Sequence, residues 1–105
     1  MSWIYLLIAS FFEIGWPIGL KLAQNPSYKM FGIIFAIFAM ALSGIFLFLA
    51  QKQIPIGVAY AIWTGLGCVG TFLIGILIFN DPKSLLSFLG VILIILGIII
   101  LKLCH

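Results

Sequence analysis

Charge is the scarcest property of this 105-residue sequence: five lysines, two acidic residues and one histidine, with charged residues at 7%. Soluble domains carry about a quarter of their residues charged, so a water-facing globular surface is excluded. The lysines, Lys21, Lys29, Lys52, Lys83 and Lys102, stand singly. Binding to nucleic acid needs a basic cluster, which excludes that partner. Cys68 inside an apolar run and Cys104 at the tail suit neither a disulfide framework nor a metal site. Both are expected to be bystanders, and no metal or cofactor is implied. The first apolar run lacks the basic n-region of a secretory leader and carries Glu13 within it. It reads as a permanent helix. Alternation of apolar and polar residues over ~10-residue segments is missing too, which excludes a transmembrane barrel.

What fills the sequence instead is hydrocarbon: 66% of residues are hydrophobic. Four runs, at about residues 3–21, 30–50, 55–79 and 85–103, each approach the ~20 residues that cross a ~30 Å apolar layer. The expected fold is an all-α integral membrane protein, a single domain over residues 1–105 with four transmembrane helices per chain, in contact with the lipid bilayer. Such a length leaves no room for a soluble catalytic or nucleotide-binding domain, so the chain is read as a non-enzyme.

Orientation follows the excess of Lys and Arg in short cytoplasmic loops. Here the N-terminus, Lys52 and Lys102 fall on one face and Lys21, Lys29 and Lys83 on the other. The balance predicts dual topology. Four helices of this length make a bundle but cannot also enclose a water-filled cavity, so a working transporter needs two copies. Insertion both ways then gives an antiparallel homodimer, an inverted repeat built from two chains. Gly90 and Gly97, seven apart on the fourth span, share a face suited to close helix contact.

Glu13 is the most informative residue. It follows Trp3 by ten residues, and at ~1.5 Å per residue it lies ~15 Å deep, near the bilayer centre. An ionisable group there is expensive and marks an ion pathway, a proton relay or a binding site. No lysine reaches it from the interfaces, so the missing cation is read as the substrate. A carboxyl that holds either a proton or an organic cation, but not both, couples the two fluxes by competition. Ser10 and Trp16 lie three residues to either side of it on the same helix face. Trp63 is expected ~14 Å deep on the third span, with Tyr60 on its face, and Ser43 ~10 Å deep on the second. Aromatic faces beside a carboxylate cage ammonium or guanidinium groups, and hydroxyls orient the carboxylate or the ligand. Pro17 cannot donate to the carbonyl of Glu13, so a kink or a freed acceptor is expected there. Gly65, Gly67 and Gly70 serve either bending of the third span or close packing. A passive channel would show polar stripes on several spans, and a non-transporting assembly subunit a clear lysine asymmetry; neither is present.

MSWIYLLIAS, FFEIGWPIGLK around Glu13, PIGVAYAIWTGLG in the third span and LGIIILK near the end together resemble the small multidrug resistance family of proton-coupled exporters, over essentially the full chain. Trp16 and the segment Trp63, Thr64, Gly65 look like its guanidinium-exporter branch, and Ser43 matches that branch's hydroxyl. The resemblance implies an antiparallel, dual-topology homodimer in the bacterial inner membrane that exchanges protons for small organic cations. It implies Glu13 as the shared site, lined by Trp63 and Tyr60, with Gly90 and Gly97 at the dimer contact. Gly15, Pro17 and Asp81 depart from the branch pattern and leave quaternary ammonium compounds open as the alternative cargo.

Overall fold

Met1–Cys104 are described by the structure, a computed structural model. In hydrocarbon every backbone N–H and C=O must be satisfied within its own segment, and continuous apolar runs can do that only as helices. Four form: α1 (Ser2–Leu22), α2 (Lys29–Ala50), α3 (Ile56–Leu77) and α4 (Leu85–Leu103). At ~1.5 Å per residue the 21 residues of α1 measure ~31 Å, a bilayer's hydrocarbon thickness.

The connections are written in turn chemistry. Between α1 and α2 a 3₁₀ turn, Pro26–Tyr28, begins at Asn25, whose side chain accepts from the Ser27 N–H at 3.0 Å. Pro55 stands before α3 in an extended conformation, and its carbonyl accepts from the Ala59 N–H at 2.9 Å. After α3 the chain reverses through Asn80, at φ 59°, a left-handed conformation that asparagine tolerates better than most residues. Ser84 and Ser87 then close a reciprocal capping box at the start of α4, each side chain accepting from the other's backbone N–H at 3.1 Å.

The large apolar side chains lie outside, with Leu85 90%, Leu77 79% and Phe11 69% exposed. Only lipid makes such a surface stable, and all four helices are long and apolar enough to span it. The chain is therefore a multi-pass, all-helical membrane protein. Its main buried cluster is small and sits at one end, where Leu6, Ala50, Ile54, Ala59 and Ile62 are buried together with Trp3, Trp63 and Leu101 packed against them. At that same end the Ser2 hydroxyl donates to Gln53 Oε1 at 2.8 Å, and the Lys102 ammonium sits 4.6 Å above the Trp3 ring.

Without a hydrophobic force between helices in lipid, close approach through small residues supplies the packing. Along α1 and α2 this is Gly15 and Gly19 against Gly32, Ala36 and Ala39. A Cβ on Gly19 would stand 2.8 Å from the Gly32 carbonyl oxygen, and one on Gly15 3.2 Å from Ala39 Cβ. At Gly19 and Gly32 the two helices cross too closely for any larger side chain. None of α4 is buried. It leans on α3 through Ile98, which fills the space left by Gly65, and through Phe88, edge-on to Phe72 at 5.7 Å. Gly90 and Gly97 have nothing within 4 Å of where a Cβ would sit.

Candidate functional site

Glu13 is eleven residues into α1, ~16 Å from its start. Its turn of helix lies against α3 where α3 has no side chain: a Cβ on Gly67 would stand 2.5 Å from Glu13 Cγ. The carboxylate accepts a hydrogen bond from Trp16 Nε1 at 2.8 Å. Only one of its two oxygens is so engaged among the described residues. Beside it opens a cavity of about 440 Å³ between α1 and α3, lined by Glu13, Pro17, Thr64, Cys68, Thr71 and Phe72 with Gly67 at its base. One acid in otherwise weakly polar walls can hold one cation, or one proton, and offers little else for a ligand to bind. No group of three or more His, Cys, Asp or Glu side chains among the described residues is placed to hold a metal. A second cavity, about 390 Å³, lies on the α1–α2 face among Phe11, Phe12, Phe35 and Phe38, without an ionisable group.

The other residues singled out from the sequence divide. Trp16 meets Glu13 as the three-residue spacing predicts. Ser10 is buried, and its hydroxyl donates to the Leu6 carbonyl one turn back at 2.8 Å, so its proton is spent within α1. Ser43 is 1% exposed; it donates to the Ala9 carbonyl at 2.7 Å and accepts from Trp63 Nε1 at 2.8 Å. Neither serine points its hydrogen at the carboxylate, because each finds a nearer backbone carbonyl. Trp63 is seven residues into α3 and about one turn shallower than Glu13, since Pro55 delays the helix to Ile56. Tyr60 is exposed and rests against it, ring centroids 5.4 Å apart at 52°. Both aromatics lie outside the lining of the Glu13 cavity.

Helix α1 runs through Pro17 unbroken, and α3 runs through all its glycines. Of the two roles open to those glycines, packing accounts for each: Gly65 receives Ile98, Gly67 receives Glu13 and Gly70 receives Ile14. Cys68, expected to be a bystander, is a free thiol on the cavity wall. Thr71 and Phe72 are additions from the structure, although Thr64, Cys68 and Thr71 recur at the four- and three-residue spacing of one helix face.

Comparison with known proteins places this geometry in context. The family model described as Small Multidrug Resistance protein matches residues 1–94. The chain is 46% identical to the guanidinium exporter of Salmonella typhimurium, over 98% of this chain and 97% of that protein. It is 45% identical to the guanidinium exporter of Yersinia pestis, over 98% of each, and 40% identical to that of Escherichia coli K12, over 98% and 97%.

Proposed function

The chain belongs to the small multidrug resistance family, and on that premise we propose that it is a proton-coupled antiporter exporting guanidinium or related small organic cations. It works as an antiparallel, dual-topology homodimer in a bacterial inner membrane. The observation that carries this reading is the isolated carboxylate of Glu13, midway along a membrane-spanning helix, steadied by one indole N–H and open to a cavity. None of the described residues lining the cavity supplies a cation, and an intramembrane carboxylate is satisfied by one from outside. Protons and organic cations compete for it, so the protein exchanges one for the other across the bilayer if only the loaded dimer reorients. The near full-length similarity to proteins named guanidinium exporters supports guanidinium as cargo. Its planar fork of N–H donors also suits a carboxylate that retains a free oxygen.

The alternative, a broad exporter of quaternary ammonium compounds, draws on Pro17 and Phe72 in the cavity wall, which present apolar surface to a cargo without N–H donors. Solid-supported membrane electrophysiology of the purified protein in liposomes separates the two. Guanidinium pulses are expected to give currents well above those of tetraalkylammonium or polyamine. Equal currents from tetraalkylammonium would replace the first reading by the second, and no currents from any cation would overturn both.

A further inference from the structure

We infer that Thr71 is a specificity-determining residue: its hydroxyl accepts an N–H from the amino group of guanidinium that points away from Glu13, and so favours guanidinium over planar cations that lack that group. The inference rests on the exchange reading above and adds a second contact with cargo.

A hydroxyl within a membrane-spanning helix ordinarily donates to a carbonyl one turn back. Ser10 does so to Leu6 at 2.8 Å, and Thr64 to Tyr60 at 2.7 Å. Thr71 departs from that habit, and its hydroxyl makes no hydrogen bond among the described residues. No side-chain nitrogen or oxygen of those residues is both buried and without a partner, and Thr71 is partly exposed on the cavity wall. Its hydroxyl is therefore open and uncommitted. The Cys68 thiol on the same wall is a weak acceptor, and Phe72 offers none.

Its height relative to the acid gives the hydroxyl a use. Glu13 and Gly67, which meet, each stand eleven residues beyond the start of their helix, and Pro17 and Thr71 each fifteen. Helices α1 and α3 run in the same direction here, so Thr71 and Pro17 border the cavity one turn, ~6 Å, beyond the level of the acid. Guanidinium is a planar fork: two amino groups pair with a carboxylate and the third points away from it. With the first two on Glu13, the third lies toward the far end of the cavity, where the lone pairs of Thr71 receive it. An N–H left unpaired in a dry site is costly, so the hydroxyl discriminates by the presence of that group.

The test removes the hydroxyl and the amino group separately. Thr71→Val keeps the volume without the oxygen; acetamidinium keeps the planar fork and the charge, with a methyl group in place of the third amino group. Affinities of both cations for the full chain are read from solid-supported membrane currents in proteoliposomes. They are read a second time by titrating the Trp16 indole N–H resonance, assigned by its loss in Trp16→Phe, because that proton rests on the same carboxylate. The unsubstituted protein is expected to bind guanidinium about ten-fold more tightly than acetamidinium. Thr71→Val is expected to lose about ten-fold for guanidinium and under about two-fold for acetamidinium, since the two deletions remove one shared contact. Thr71→Ser retains the oxygen and should hold guanidinium within about two-fold of the unsubstituted protein.

Unchanged guanidinium affinity in Thr71→Val, equal losses for the two cations, or a Thr71→Ser variant as weak as Thr71→Val overturns the inference and leaves the exchange reading standing. If the unsubstituted protein binds guanidinium but passes no current, the exchange reading falls and the resonance titrations alone decide the hydroxyl. Absence of both binding and current overturns both.

Discussion

Adding one methyl group at Gly67 tests how tightly the acid is held. A Cβ there would stand 2.5 Å from Glu13 Cγ and 3.3 Å from Glu13 Cβ. The clash falls near the root of the side chain, so Glu13 cannot escape by swinging its tip and must change rotamer. Doing so breaks the 2.8 Å bond from Trp16 Nε1. Hydrogen bonds to a charged group contribute about 1.5–3 kcal/mol, and for a partly exposed acid the lower end applies, which is about ten-fold in affinity. Alanine otherwise suits a helix interior at least as well as glycine. Gly67→Ala is therefore expected to weaken guanidinium binding about ten-fold with little change in thermal stability. Gly57→Ala, where a Cβ meets nothing within 4 Å, is the control and should transport normally. The assay pairs electrophysiology in liposomes with thermal unfolding in detergent. If Gly67→Ala transports guanidinium with unchanged affinity, the close seat of Glu13 on α3 is irrelevant to binding and the reasoning is refuted.

Other outcomes follow from the same geometry. Glu13→Gln removes the titrating charge at nearly constant volume, so coupled transport should vanish while the protein still folds; proton-driven uptake by that variant would contradict a shared site. Apparent guanidinium affinity should rise with pH and level off above the pKa of Glu13, because only the ionised form binds cation and each pH unit below that pKa removes about ten-fold of it; a flat titration would exclude competition. Accessibility labelling of an introduced tail cysteine should report both sides of the membrane, with two added tail lysines biasing it to one. Gly32→Val should separate α1 from α2, since even a Cβ there meets the Gly19 carbonyl and the Ala23 backbone. Loss of the folded protein is expected, and a stable, active variant would show that the crossing tolerates side chains.

The four helices were legible because their signal is long, continuous and chemically forced: an apolar run in lipid has no alternative to a helix. The depth of Glu13 and its pairing with Trp16 were legible for a related reason, since rise and periodicity along one helix are fixed numbers. What sequence does not carry is the direction of a small polar side chain. Ser10, Ser43 and Glu13 lie at neighbouring depths, yet both serines turn to backbone carbonyls, a choice made by helix contacts that no spacing records. The glycines of α3 read equally as flexibility or as clearance until their partners, Ile98, Glu13 and Ile14, are seen. Gly15, a departure from the related branch in sequence, stands where a Cβ would come 3.2 Å from Ala39 Cβ.

The placement of the large buried cluster at one end gives the α3–α4 hairpin the shape of a cantilever. Its root is clamped among Leu6, Ala50, Ile54 and Ile62 and by the Lys102–Trp3 stack. Its tip, with Leu77, Leu85 and Leu86 at 79%, 90% and 77% exposure, touches almost nothing of the protein. From Trp63 to Leu77 the lever is ~21 Å long at ~1.5 Å per residue, so a tilt of about 10° at the root sweeps the tip through about 4 Å. Lipid closes behind such a movement at little cost, whereas the root cannot follow without opening the core. The wall of Thr64, Cys68 and Thr71 lies along that stretch of α3, so such a tilt would change the width of the chamber beside the acid.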